Sequence, residues 1–461
     1  MGGDGRKIDV DAFVMRSSYD GLFDAWMQST NASLIGVSGA KATNSSSATT
    51  SSTVGANGYV EADSVSVQAS NTVEKGGPGT TNLPGVTSVT GAAIAVPSWN
   101  VNSASGGLAD VPAADSLTTI TNSAVAEVGA GATVQQTGSI MAPGAYKFDA
   151  WNDVTARDRV KMASGGAVSA ASGSSKVLAD SNVAKVKVGD GAALSATGDL
   201  MMGARSVADI STQTSVDVWG LVGVAPKGDS VSRFKASNSI EIGAASLEAQ
   251  NDIRLNAGAS TLYNPETGSN TGLNSGSVVA RTDVFNNTAI PVNRDPIADA
   301  VIETDSQITI ADGAVLNSVS DVALFAEKGS ATASGVGIGK DLYREALAAV
   351  GSAISNAFGG GDVSFETRTG NSVKTQTSGV TVNGEIHVGT HRKQNLEIDI
   401  NGNVVAKTDG ISIANTGVAS LAQDILDRID ALNQLIREYS GGSAGSDAAI
   451  AVAAYQSEIR F

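Results

Sequence analysis

A chain of 461 residues in which glycine accounts for 53 and aromatic residues for 4% has room for two or three ordinary domains but too few large side chains to fill them. Its hydrophobic fraction of 41% is too high for general disorder, so the composition asks for a thin core of Val, Ile, Leu and Ala drawn out along an axis. With 30 Lys and Arg against 46 Asp and Glu, attraction to nucleic-acid phosphates or to an anionic membrane is not expected, and the lack of cysteine excludes disulfides, thiolate nucleophiles and Cys-ligated zinc.

The opening "MGGDGRKIDV" has no signal-peptide stretch, and no window approaches the roughly 18 apolar residues of a membrane helix. The expectation is a cytosolic chain or a piece of a longer exported one. Residues 1–54 are a mixed segment, grouping Phe13, Tyr19, Phe23 and Trp26 before a Ser/Thr-rich run that reads as a surface loop or a polar strand face. Short period-two alternations then fill 55–339. In "SNSIEIGAASLEAQNDIRLNAGAS" (237–260), Ile240/Ile242, Leu247/Ala249 and Ile253/Leu255/Ala257 each send one set of side chains to one face. No two-residue hairpin turn joins them, so they read as three sides of one coil.

The body repeats itself. "VGAGATVQQTGSIM" (128–141) and "VGDGAALSATGDLM" (188–201) align without a gap at an offset of 60, and "IGAASLEAQNDIRL" (242–255) and "IADGAVLNSVSDVAL" (310–324) follow the same scheme. Glycines such as Gly191 and Gly313 supply the backbone angles of tight corners. Each copy cannot bury its own face, so neighbours must stack as in a β-solenoid. With about 20 residues per coil, the size of the shortest solenoid repeats, the offset of 60 spans three coils, and roughly fifteen coils make a rod on the order of 70 Å long.

Two segments break the strand pattern. Residues 340–358 carry Leu342, Ala346, Leu347, Val350, Ile354 and Ala357 at helical spacing, a helical insertion closed by "GGGD". Further solenoid coils are expected over 359–418. At 419–461 the seam Ile425, Ile429, Leu432, Ile436 and Tyr439, a glycine turn and "SDAAIAVAAYQSEIRF" predict an α-helical hairpin.

These residues resemble the filamentous haemagglutinin group of large bacterial exoproteins, most closely the leukotoxin-type filamentous adhesins. The likeness is carried by the coil language of "VGVAPKGDSVSRFKASNSIEIGAASLEAQNDIRLNA", by the run from "NNTAIPVNRDPIADAVIETDSQITIADG" to "LYREALAAV" (286–350), and by the C-terminal helical region. The resemblance implies a right-handed parallel β-helix, a place on or released from a Gram-negative-type cell surface, and an outer-membrane transporter of a two-partner secretion system as export partner. The family's NPNG secretion signature is not found, which suggests an internal or C-terminal fragment.

Candidates for chemistry are few. "SGVGIGKD" (334–341) invites a phosphate-loop reading, but Ser334 stands where the first glycine belongs and Asp341 where the magnesium-binding hydroxyl belongs, so Asp341 reads better as a helix cap. The two histidines, His387 and His391, read as solvated surface residues, because a metal site needs further ligands. The strongest local cluster is "YKFDAWNDVTARDRVK" (146–161), with Asp149, Asp153, Asp158, Arg157 and Arg159 among Tyr146, Phe148 and Trp151. Three readings of it stand: an irregular coil whose Trp151 shields the core, an aromatic and charged loop stacking on a glycan, or the converging acids of a β-helix lyase or glycosidase.

The expectation is therefore an all-β parallel solenoid with no catalytic, cofactor-binding or metal residues assigned. Its role would be structural and adhesive: a segment of a surface or secreted filament that attaches cells to one another or to a surface through a glycan or protein receptor, with self-association as a further mode. The alternative is a carbohydrate-active β-helix enzyme, which would need a groove with at least two facing acids. A third reading is a soluble effector whose helical hairpin binds a partner.

Overall fold

The computed structural model describes residues 7–76, 99–138, 146–267, 271–357, 360, 364 and 366–388, and the backbone of short strands at 397–398, 406–408 and 411–415. The hairpin expected at 419–461 and His391 lie outside the described residues. The chain is all-β and winds in successive passes. The first pass comprises β1 (Lys7–Phe23), β2 (Met27–Ala32), β3 (Ile35–Gly36) and β4 (Gly39–Val54). The second is β5 (Tyr59–Lys75), β6 (Val101–Asp110) and β7 (Ala113–Val128), and the third β8 (Thr133–Gln136), β9 (Tyr146–Ser169) and β10 (Ser172–Val188). The fourth is β11 (Ala193–Ala196), β12 (Leu200–Val224) and β13 (Lys227–Ile242); the fifth is β14 (Ser246–Ala249), β15 (Ile253–Ala257), β16 (Ser275–Val292) and β17 (Ile297–Ile310). The sixth holds β18 (Val315–Ser318), β19 (Val322–Ala326), β20 (Ser330–Asp341), helix α1 (Leu342–Ala357), β21 (Thr367–Thr369) and β22 (Asn371–Val382). A partial seventh contains β23 (Glu385–Val388), β24 (Glu397–Ile398), β25 (Ala406–Thr408) and β26 (Ile411–Asn415).

Each pass lays its strands parallel to those of the pass before. One sheet runs β4-β7-β10-β13-β17-β22; the other strands form a second, larger sheet, antiparallel only in the pairings of β21, β24 and β25. The arrangement is compatible with a β-solenoid, but its circuit is far longer than 20 residues. Ala113 lies opposite Gly39 (113 − 39 = 74) and Ala236 opposite Asn182 (236 − 182 = 54), the longest and shortest circuits in the six-stranded sheet. Val188 sits directly beside Val128, so the offset of 60 is one circuit and not three. The expected stack of fifteen coils becomes six full passes, and the six-stranded sheet is about 25 Å deep rather than 70 Å.

The recurrent Gly-containing motif is the tight corner at the end of each of these strands. Gly129 N donates to Val54 O, Gly189 N to Val128 O, Gly243 N to Val188 O, Ala311 N to Ile242 O and Asn383 N to Ile310 O, all at 2.8–2.9 Å. Four of the corners place one position in the left-handed region: Asn57 (φ 56°), Gly131 (68°), Gly191 (70°) and Gly313 (78°). Glycine, or asparagine with its short polar side chain, is what that geometry admits.

In-out alternation along most of each long strand divides the interior into three apolar columns. The first, beside the tight corners, holds Tyr146, Phe148, Val186, Leu194, Met202, Ile240, Leu255 and Leu324; the runs of 240–257 enter it from three sides. The second holds Ile120, Val177, Ile210, Phe234 and Ile302, and the third Val101, Val160, Met162, Val216 and Val218. A seam of asparagines separates the first two columns. Asn71 Nδ2 donates to Asn152 Oδ1 (2.9 Å) and Asn122 Nδ2 to Asn182 Oδ1 (3.1 Å), while Asn152 and Asn182 donate across to the carbonyls of Val183 and Lys235. A second seam of Ser116, Thr118, Asp158, Ser175, Thr212 and Ser232 separates the second column from the third. Such polar rows survive in a core because the amide donors of Asn71, Asn122, Asn152 and Asn182 each find an oxygen on a neighbouring or facing strand.

Candidate functional site

Segment 146–161 is the first part of β9, a regular strand rather than an irregular coil. Strand alternation sends its acids to different places. Asp149 faces outward but is buried beneath the excursion between β15 and β16, where Thr261 donates to it from N (3.1 Å) and Oγ1 (2.8 Å). Burial raises the Asp149 carboxyl above the usual aspartate value, and the Thr261 hydrogen bonds oppose that rise. Asp153 lies on the outer face 3.8 Å from Arg205 Nη2, its carboxyl also pushed up by burial and held back by the guanidinium. Asp158 points inward and has no exposed surface. Arg157 and Arg159 are exposed, and Arg157 pairs loosely with Asp209 at 3.5 Å.

The three aspartates therefore do not converge. Trp151 lies between the buried Ala150 and Asn152 with its own side chain on the outer face, so it does not shield the core; shielding over this stretch comes instead from the excursion, where Tyr263 packs edge-on to Phe325. A groove of about 670 Å³ runs along the tight corners and contains Glu127, Asp190 and Glu241. Lys187 holds Glu127 at 3.1 Å, Lys185 holds Glu241 at 2.6 Å, and Asp190 accepts from Ala244 N at 2.9 Å. Among the described residues no three acids or histidines lie close enough to hold a metal ion.

"SGVGIGKD" lies within β20, paired residue by residue with β16, so its amides belong to a sheet and do not form a phosphate cradle. Lys340 lies 5.7 Å from the Phe285 ring centre and 3.4 Å from Glu366. Asp341 Oδ1 accepts from Arg344 N at 2.9 Å and caps α1. His387 is exposed and contacts Glu385 at 3.0 Å.

The feature that sequence reasoning missed is an apolar ridge on the opposite corner. Where the larger sheet turns toward the smaller one, Ile35 lies opposite Ala109, Ala109 opposite Val168, Val168 opposite Val222 and Val222 opposite Ile290. Five successive passes thus place an aliphatic residue at one surface position. Leu34 (74% exposed), Leu108 (61%), Trp219 (59%) and Leu221 (57%) flank the column. Stacked glycines make this corner. A side chain at Gly220 would run into Gly166 O, and one at Gly166 into Gly107 O, while Gly220 itself sits at φ 145°.

The ridge is continued by α1. Tyr343 Oη donates to Ala289 O, next to Ile290, at 2.6 Å, and Tyr343, Leu347, Val350 and Ile354 form an exposed stripe at steps of four, three and four. No residue of α1 is buried. A run of large apolar side chains open to water along several passes is the surface signature of a contact site. Among the described residues no helix is long and apolar enough to cross a membrane. No family model, no curated protein and no solved structure matches the chain.

Proposed function

We propose that this chain is a structural and adhesive segment of a filamentous exoprotein, whose contacts with a cell-surface glycan or protein run along the Ile35–Ile290 ridge and the exposed face of α1. The observation that carries the reading is the aliphatic column repeated over five passes. Repetition along one axis lets individually weak contacts add through multivalency. The winding is read as right-handed, the hand taken by about 98% of crossovers between parallel strands, with α1 as a helical insertion and 419–461 as a helical hairpin. A Gram-negative-type surface and an outer-membrane transporter partner follow only from the resemblance to filamentous haemagglutinins. The enzyme alternative draws no support from Asp149, Asp153 and Asp158, which face three separate environments.

The test is a triple variant, Trp219→Ser, Leu221→Ser and Ile290→Ser, applied with the parent chain to cultured cells and to glycan and protein arrays. Loss of binding with an unchanged melting temperature is the expected result. Equal binding by both proteins would refute the ridge as the contact surface.

A further inference from the structure

The second polar seam holds a group of side chains that neither the fold nor the proposed adhesion requires. Lys75, at the end of β5, has no exposed surface. Its Nζ lies 2.9 Å from Asp158 Oδ1, 2.9 Å from Arg157 O and 3.5 Å from Asp24 Oδ1, and the side chains of Asp158 and Asp24 are 0% and 2% exposed. The three residues come from three consecutive passes: Asp24 follows Phe23, whose register partner is Lys75, and Lys75 lies opposite Ala156. Ser116 Oγ donates to Asp158 Oδ1 (2.9 Å) and Ser175 Oγ to Oδ2 (3.0 Å). Asp24 is itself held by Ala25 N and Asn100 Nδ2, both at 2.8 Å.

From this geometry we infer that Lys75 and Asp158 condense spontaneously into an intramolecular isopeptide bond, with Asp24 carrying protons between them. One ammonium faces two carboxylates, so the buried group is electroneutral only when it holds one extra proton. Asp24, 3.5 Å from Lys75 Nζ, is placed to hold that proton, and burial raises its carboxyl above the usual aspartate value against the opposing charge of Lys75. Transfer of a proton from the Lys75 ammonium to Asp158 leaves a neutral amine beside a neutral carboxylic acid. The amine nitrogen then bonds to Asp158 Cγ, one Cγ–O bond breaks, and the departing hydroxyl leaves as water with a proton from the nitrogen. Asp24 gives a proton to the oxygen and takes one from the nitrogen, ending as it began.

Three features favour the step. Strands on both sides hold the reacting atoms in contact, which replaces a bimolecular encounter by a local one. The two serine hydroxyls polarise the carboxyl where charge develops. An amide also removes two charges from a site with no exposed surface, where an ion pair must offset a desolvation cost of several kcal/mol per ion. The bond would tie the second pass covalently to the third.

The test is intact-mass spectrometry of the purified full chain, followed by digestion and fragmentation. The expected result is a protein lighter than its sequence mass by one water, with a branched peptide joining Lys75 to Asp158. Lys75→Arg and Asp158→Ala should restore the full mass, and Asp24→Ala should leave most of the chain unlinked. A parent chain at full mass overturns the proposal. So does a one-water loss that persists in Lys75→Arg, since a succinimide at an Asp-Gly pair such as Asp190–Gly191 gives the same deficit. Crosslinking at the parent extent in Asp24→Ala overturns the role of Asp24 alone.

Discussion

The two corners of each pass handle the same kind of residue in opposite ways. At the tight corner, Val54, Val128, Val188, Ile242 and Ile310 turn inward, and the first column closes around Phe148 and Leu255 with nothing large exposed. At the glycine corner, Ile35, Leu108, Val168, Leu221 and Ile290 turn outward into water. Both corners are stacked in register by backbone hydrogen bonds, so stacking alone does not demand apolar residues at the second one. Exposed aliphatics there contribute nothing to burial within the chain, and their repetition points to something that covers them.

Substitutions at the two corners should therefore separate stability from binding. The largest expected effect is Phe148→Ala, a fully buried ring in the first column, which should cost about 3–5 kcal/mol in urea unfolding. Trp219→Ala on the ridge should stay within about 0.5 kcal/mol while weakening surface contact. A comparable loss at both sites would erase the distinction drawn between them. Next comes Gly220→Ala, which forces a Cβ against Gly166 O at a backbone angle that L residues rarely adopt; roughly 2–3 kcal/mol is expected, read as a lower unfolding midpoint.

A smaller effect is the pH response of Glu327, which accepts from Tyr263 Oη at 3.0 Å under the excursion over the tight-corner side. Burial raises its carboxyl, against the opposing hydrogen bond from Tyr263. A raised folded-state value means that the stabilisation is fully present below the ordinary glutamate value of 4.5 and is lost as pH rises through the folded one. Melting curves between pH 4 and pH 8 should show the parent losing more stability than Glu327→Gln; identical slopes would remove Glu327 from the account. The smallest expected change is Lys185→Ala, which breaks a surface pair with Glu241 and should cost under about 1 kcal/mol, less in high salt.

Much of the fold can be read from the residues. Period-two spacing identifies the strands, and the inward assignment of Ile240, Leu247, Ile253 and Leu255 matches their burial in one column. The length of a circuit is a different matter. Buried seam residues such as Asn122, Asn182 and Asn238 interrupt the apolar alternation and read as strand ends, although each sits mid-strand: Asn122 donates to the Asn182 amide oxygen, Asn182 to Lys235 O, and Asn238 Oδ1 accepts from the Ser206 hydroxyl. A strand of 24 residues such as β9 therefore reads as several short ones. The ridge is hidden for a related reason. Gly165–Gly166 interrupt the alternation, so Val168, in step with the inward-facing Val160, Met162 and Ser164, sits outside where simple counting would not place it. Segment 146–161 misled through its composition: Asp158, five residues after Asp153, faces the other side of an extended strand, while Asp149, on the same face as Asp153, is buried under the excursion.

The excursion between β15 and β16 shows how circuits of different length coexist. It leaves the wall after Ala257 and returns at Ser275, and its two ends meet where Asn274 N donates to Gly258 O at 2.8 Å. The strands above and below are undisturbed: Leu255 still faces Leu324, and Val278 still faces Ala333. Because the gap is already closed by main-chain atoms, foreign sequence inserted beyond Tyr263 and before Gly272 would leave both the wall and the Tyr263–Phe325 contact in place, making this the natural point at which the chain can grow without re-engineering its frame.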